Sequence, residues 1–402
     1  IGPPTSGSEH DNLYMSDPEV FSDQPLSSKF TNHTNDYLLW ADGDGSTCGS
    51  LSLRKMTSPY EVEPFTQRSQ AYLTINDLMT GNGVDGGVGS ATPPANGQPG
   101  DQGLGTCEKK ARGSGTIFRP YIEGGSLFRS DHWTFTAAGN QRPGPYVLMF
   151  AAKPSETPGV CKAGGQPNTA NEVIAYATAS TVTGPYTYKG IIMCGSSTEW
   201  TNQATLLEVK NAAGKNRLVL VYHDAPNVAA SQGQQRKMHS ECLFTYKGQF
   251  ILTQRSAEGA MDQWGASKWC LVKDDIRAFK SVSNNMWVSN TSSGLKATGV
   301  QIGNWEQFAM SSTGTSGQYY VNARNGEKYV TAATAGSVVK ATSFTPENTA
   351  KLNFVLVSGS IYRIRDINGL YWQVQSDGTI KAGSSNPSST DKTYQFERAD
   401  LT

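Results

Sequence analysis

From about residue 272 onward the chain repeats itself, and that repeat limits its fold more than any other feature. Asn284-Asn285-Met286-Trp287-Val288, Gly326-Glu327-Lys328-Tyr329-Val330 and Gly369-Leu370-Tyr371-Trp372-Gln373 are three versions of one hairpin. Each is followed by a small-residue turn and a second short strand: GLKAT, SVVKAT and TIKAG. Each then closes on an aromatic, in Trp305-Glu306-Gln307-Phe308, Leu352-Asn353-Phe354 and Tyr394-Gln395-Phe396, with the phenylalanines 46 and 42 residues apart. A unit this short cannot bury its own apolar face, so three copies must complete one core together. The period predicts a β-trefoil over residues 271–402.

The preceding residues, 1–270, contain no window of sustained helical apolar spacing; short β-branched and aromatic runs recur instead. They fall into three groups. The first is 17–21, 36–41, 49–56 and 61–67. The second is 122–129, 132–137, 145–151, 172–179 and 186–193. The third is 203–209, 217–223, 237–246 and 248–254. Groups of about four strands are the size of a propeller blade. The expected fold class is all-β, with β-propeller blades followed by a β-trefoil. Residues 78–116 are rich in Gly, Pro, Asn and Gln and bury little, which predicts a long flexible loop; residues 152–171 read as a second insertion.

Two of these groups open on a carboxylate. Ser16-Asp17-Pro18-Glu19-Val20-Phe21 precedes the strand at Tyr37, and Tyr121-Ile122-Glu123-Gly124-Gly125-Ser126-Leu127-Phe128 precedes the strand at Tyr146. Each reads as an acid, a Pro or Gly break, then an apolar strand. Two such units can aim two carboxylates at one point, as glycosidic bond cleavage requires.

Bulk properties exclude other classes. The 34 basic residues balance 34 acidic ones, so no net field attracts nucleic acid. No run approaches the ~18 apolar residues of a membrane helix. Neither a P-loop, a dinucleotide fingerprint nor a Gly-x-Ser-x-Gly elbow is present. Six cysteines without Cys-x-x-Cys spacing argue against zinc and for as many as three disulfides of open pairing. Asn32-His33-Thr34 and Asn290-Thr291-Ser292 are N-glycosylation sequons. The chain opens on Ile1 without a basic-then-apolar leader, which reads as a processed, secreted, extracellular product.

The strings SDPEVF…YLLWADGDG, LSLRKMTSPYEVE, IEGGSLF…YVLMFAA, EVIAYATASTVTGPYTYKGIIM and NQATLLEV…RLVLVYHD resemble the five-bladed propeller glycoside hydrolases of family 43, the arabinofuranosidase and xylosidase group. The C-terminal repeat, through Trp305-Glu306-Gln307-Phe308, resembles fascin-like carbohydrate-binding trefoils. The resemblance implies an inverting hydrolase of arabinose-, xylose- or galactose-containing polysaccharide. Glu123 matches the general acid, and Asp17 matches the aspartate that tunes its pKa. Because Asp17 matches the third blade, the chain supplies blades three to five, while the family's general base lies on blade one. The reading favoured is that an N-terminal fragment of the same precursor docks here and brings the base. Asp17 as base, or an incomplete and inactive site, are the other readings. A non-catalytic secreted glycan-binding or structural protein is the rival class.

Other candidate contacts follow. Arg236 and His239 lie where fifth-blade polar residues approach the sugar, but alternation lets only one of them face it. Trp40 is a candidate stacking platform. Trp287, Tyr329 and Trp372 hold equivalent repeat positions, suited to core packing or to trefoil sugar contacts. No cofactor is expected. Asn202-Gln203 stands where the family has a Gly-His pair near a channel calcium or water, which argues against that ion.

Overall fold

The computed structural model describes residues 14–23, 35–43, 49–59, 61–64, 73–76, 84–85, 106–111, 115–120, 122–130, 145–152, 172–195, 203–211, 213–224, 237–253, 273 and 275–401. At several strand positions, Asp17 and Glu123 among them, only the backbone is described. The chain is all-β, and among the described residues there is no α-helix.

The first sheet orders β1 (Tyr14–Ser22), β2 (Asp36–Gly43), β3 (Gly49–Ser58) and β4 (Glu61–Val62). In the second, β5 (Thr74–Asn76) and β6 (Val84–Asp85) extend a sheet completed by β9 (Ile122–Arg129), β10 (Tyr146–Ala152), β11 (Val173–Ala179) and β12 (Tyr186–Met193). Its order is β6-β5-β12-β11-β10-β9. A separate hairpin, β7 (Thr106–Ala111) and β8 (Gly115–Pro120), precedes β9. The third sheet is β13 (Ala204–Lys210), β14 (Asn216–Asp224) and β15 (Lys237–Leu243); β16 (Thr245–Tyr246) and β17 (Gln249–Phe250) form a small hairpin after it.

Two expectations change here. Residues 78–116 are not all loop: β6 and β7 lie within them. The apolar alternation of Leu73 and Ile75, both buried, carries β5 into parallel pairing with β12, and β6 pairs with β5. Residues 248–254 do not add a fourth strand to the third sheet. Phe244 and Ile251 turn instead onto the C-terminal sheet. The expected strand at 132–137 lies outside the described residues, as does the insertion at 152–171 apart from Ala152, which ends β10.

The sheets stack face to face. Every residue of β10 is buried because both faces of that strand are covered. Leu148 and Phe150 pack toward Leu39, Leu51 and Leu53 of the first sheet. Val147 and Met149 pack toward Leu206, Leu218 and Leu220 of the third. That double coverage is why YVLMFAA is uniformly apolar and does not alternate. Thr253 bridges the stack, its N–H donating to the Ile192 carbonyl and its hydroxyl to the Cys242 carbonyl. Cys194 and Cys242 are buried and neither is a free thiol.

The C-terminal sheet contains β18 (Asp275–Ser281), β19 (Trp287–Thr291), β20 (Gly294–Gly299), β21 (Phe308–Ser312), β22 (Gln318–Ala323), β23 (Tyr329–Thr331), β24 (Lys340–Ser343), β25 (Lys351–Ser358) and β26 (Ile361–Arg365), with β29 (Phe396–Asp400) closing on β18 and β26. β27 (Trp372–Val374) and β28 (Ile380–Ala382) form the third repeat's hairpin. Short 3-10 turns at Asn304–Glu306, Asn348–Ala350 and Lys392–Tyr394 each lead into a closing strand, so the three sequence repeats are three structural repeats. They share one core: Phe308, Phe354 and Phe396 meet Val288, Val330 and Trp372. The sequon at Asn290 does not survive this packing. Asn290 is buried, and its amide nitrogen, the atom a glycan would occupy, donates to the Asn325 carbonyl at 2.8 Å. Asn32 lies outside the described residues.

Candidate functional site

β1 and β9, the two strands that carry the predicted acids, pack against each other. Each is broken by the same irregularity. On β1, Ser16 pairs with Ala41 and Glu19 with Leu39, so Asp17 and Pro18 together oppose Trp40. On β9, Glu123 pairs with Ala151 and Ser126 with Met149, so Gly124 and Gly125 together oppose Phe150. One extra residue on the bulged strand kinks it and re-aims its side chains. The chemistry of the two breaks explains their sequences. Proline cannot donate to a ladder, and Gly124 adopts φ +57°, a left-handed conformation suited to glycine. Gly125 is needed for closeness: a Cβ there would meet Leu51 at 2.9 Å and Leu39 at 3.1 Å. The carboxylates of Asp17 and Glu123 lie outside the described side chains, and so does Arg236.

The structure adds an acid the sequence reading passed over. Glu19 shares a face of β1 with Phe21, whose ring packs edge-on against Tyr146 of the second sheet. Its Oε1 accepts the Leu127 N–H at 3.4 Å, and its carboxyl is also hydrogen-bonded to the Ser126 hydroxyl. Ser126 in turn donates to Thr205 Oγ1 of β13 at 3.4 Å. One chain of polar contacts therefore crosses all three sheets. Burial pushes the Glu19 carboxyl up to about 7, with the Ser126 and Leu127 hydrogen bonds pulling the other way. Counting back by twos from the apolar Phe21 puts Glu19 on the buried face, which is the signal that marks it in sequence. A second clamp lies at the strand ends: Asp23 takes Arg129 at 2.8 Å and the Tyr146 hydroxyl at 3.0 Å.

The other candidates separate from this site. Trp40 is 3% exposed and packs with Leu38, Met56 and Val62, leaving no ring face for a sugar. His239 is buried and stacks on Tyr222 with centroids 5.3 Å apart, so that face of β15 is interior. In the C-terminal repeats, Trp372 is 1% exposed and stands edge-on to Phe396 in the shared core. Trp287 is buried at the junction with Tyr246, its ring edge-on at 5.5 Å. Neither can stack on a glycan from those positions. Tyr329 is half-buried, and its hydroxyl accepts from Lys273 at 3.4 Å. Glu306 of the Trp-Glu-Gln-Phe motif is likewise structural, accepting the Ser289 hydroxyl at 2.5 Å and the Gly303 N–H at 2.8 Å. No cluster of metal-ligating side chains occurs among the described residues.

No family model matches the chain, and no curated protein does. Among solved structures, the chain is similar to a designed three-fold symmetric protein, ThreeFoil. The match spans 32% of this chain and all of that one, at 17% identity and a TM-score of 0.27.

Proposed function

We propose that this protein is a secreted glycoside hydrolase, acting on arabinose-, xylose- or galactose-containing polysaccharide, with the C-terminal repeats carrying it to glycan. The observation that supports this reading is the packing of β1 on β9, each kinked by a bulge beside its acid. Paired carboxyl groups on two strands that pack together are what an inverting glycosidase needs. One acid, Glu123, protonates the departing oxygen. A base about 6.5–9.5 Å away activates water on the opposite face of the sugar. Asp17 tunes Glu123 if the base arrives on an N-terminal fragment of the precursor, and is itself the base if none does. The face-to-face stack of three sheets fits successive blades of a propeller.

The test is a panel of arabinose, xylose and galactose nitrophenyl glycosides with arabinan and arabinoxylan, run on wild type, Glu123→Gln and Asp17→Asn. Turnover that both substitutions abolish, with folding intact, supports the proposal. Glycan binding without turnover by any form replaces it with a non-catalytic glycan-binding role.

A further inference from the structure

We infer that Glu19 is a positioning residue for this site: its carboxyl latches β1 onto β9 and so fixes the separation of the two bulges that bear Asp17 and Glu123. The inference rests on the reading that those two acids carry the reaction. Three observations support it. Glu19 is the first paired residue after the β1 bulge, and its two partners, Ser126 and Leu127, directly follow the β9 bulge. The contact thus joins the two irregularities and not two arbitrary points on the strands. There is little room beside the β9 bulge, because a Cβ at Gly125 would meet the Leu51 and Leu39 side chains at 2.9 and 3.1 Å. Finally, Ser126 passes the connection to Thr205, so the latch also registers the third sheet.

Burial and the latch hydrogen bonds act on the carboxyl in opposite directions, with burial the larger effect. A neutral carboxyl satisfies every partner: its carbonyl oxygen accepts the Leu127 N–H, and its O–H donates to Ser126 Oγ, freeing the serine proton for Thr205. An ionised carboxyl draws the serine proton to itself, leaving Thr205 to donate to Ser126 Oγ; both latch hydrogen bonds favour that form, and burial, the larger effect, opposes it. Among the described side chains, no nearby charge offsets the burial. Asp23, just after β1, and Arg129 on β9 pair with each other. Arg54 on β3 donates to the carbonyls of Glu63 and Pro64, and the β2 residue opposite Glu19 is Leu39. Tyr37 on β2 is held neutral by burial and by Asp23, and Glu208 is the only acid on β13. Among these groups none is a leading influence on Glu19, whose shift comes from burial against its two hydrogen bonds.

The experiment compares wild type, Glu19→Gln and Glu19→Ala on the best substrate of the panel from pH 5 to 9, with a melting curve at each pH. Glutamine keeps the acceptor for Leu127 and cannot ionise. We expect Glu19→Ala to lose kcat on the order of 100-fold with little change in KM, since small displacements of reacting groups cost that much. Glu19→Gln should recover most of that loss and keep its activity above pH 7, where wild type declines. A folded Glu19→Ala with full kcat overturns the inference. So does a Glu19→Gln as inactive as alanine, which would make Glu19 a catalytic group. If wild type turns over nothing, the hydrolase reading and the positioning role fall together. The latch is still judged then, because wild type and Glu19→Gln must differ in how melting depends on pH.

Discussion

Arg324 and Glu241 meet at 3.4 Å with side chains 5% and 0% exposed, joining the C-terminal repeats to the third sheet. Arg324 also donates to Gln307 Oε1 at 2.6 Å and lies over the Phe244 ring. Burial pulls its guanidinium down to about 10, which leaves it charged at neutral pH. Removing one partner strands a buried charge. Glu241→Gln or Arg324→Met should therefore cost about 3–5 kcal/mol, read from urea midpoints. The double substitution Glu241→Leu with Arg324→Met should cost less than either alone.

The close approach at the β9 bulge predicts a second outcome. Gly125→Ala places a methyl 2.9 Å from Leu51 and 3.1 Å from Leu39, so these packed side chains must shift. The expected loss is about 1–3 kcal/mol from overpacking. Pairing it with Leu51→Ala, which opens that space, should bring back part of the loss in a thermal melt.

Stability should fall as pH rises through the weakly acidic range. The Glu19 carboxyl sits near 4.5 in the unfolded chain and about 7 in the fold. Between those values the folded state holds a proton that the unfolded state has released. Its contribution is full below about 4.5, is lost as pH approaches 7, and is flat above. The drop is roughly 1–3 kcal/mol once solvent around a half-buried carboxyl is allowed for. Subtracting the Glu19→Gln curve from that of wild type isolates it.

Substitution at the repeat aromatics separates packing from recognition. Trp372→Ala should cost about 3–5 kcal/mol, as loss of a core indole does. It should unfold the C-terminal repeats cooperatively. A variant that melts like wild type but no longer binds arabinan would show the ring acting on glycan instead.

The three-fold repeat was legible because its period appears directly in Phe308, Phe354 and Phe396, which the fold brings to one core. The stacked sheets were legible through uniformly apolar runs such as Tyr146–Ala152. What escaped was whatever depends on partners distant in sequence. β5 found β12 more than a hundred residues on, and no local pattern announces a parallel pairing. Trp40, Trp287, His239 and Trp372 have side chains suited equally to sugar faces and to interiors; only their neighbours decide, and they decided for burial. Glu19 escaped because the proline beside it drew the reading to Asp17, although alternation from Phe21 already placed Glu19 inward.

The joint at Arg324 and Glu241 has a practical consequence for anyone who would treat the C-terminal repeats as a portable cassette. Cys242, Phe244 and Ile251 on one side close over Ile276, Trp287, Ile302, Ala309 and Leu401 on the other. Excised, the repeats would present that apolar floor to water, together with an Arg324 guanidinium that has lost Glu241. Such a fragment would self-associate during expression unless the floor were rewritten with polar residues. Swapping this unit onto another scaffold therefore means carrying β15 and the hairpin after it along, or redesigning the surface they cover.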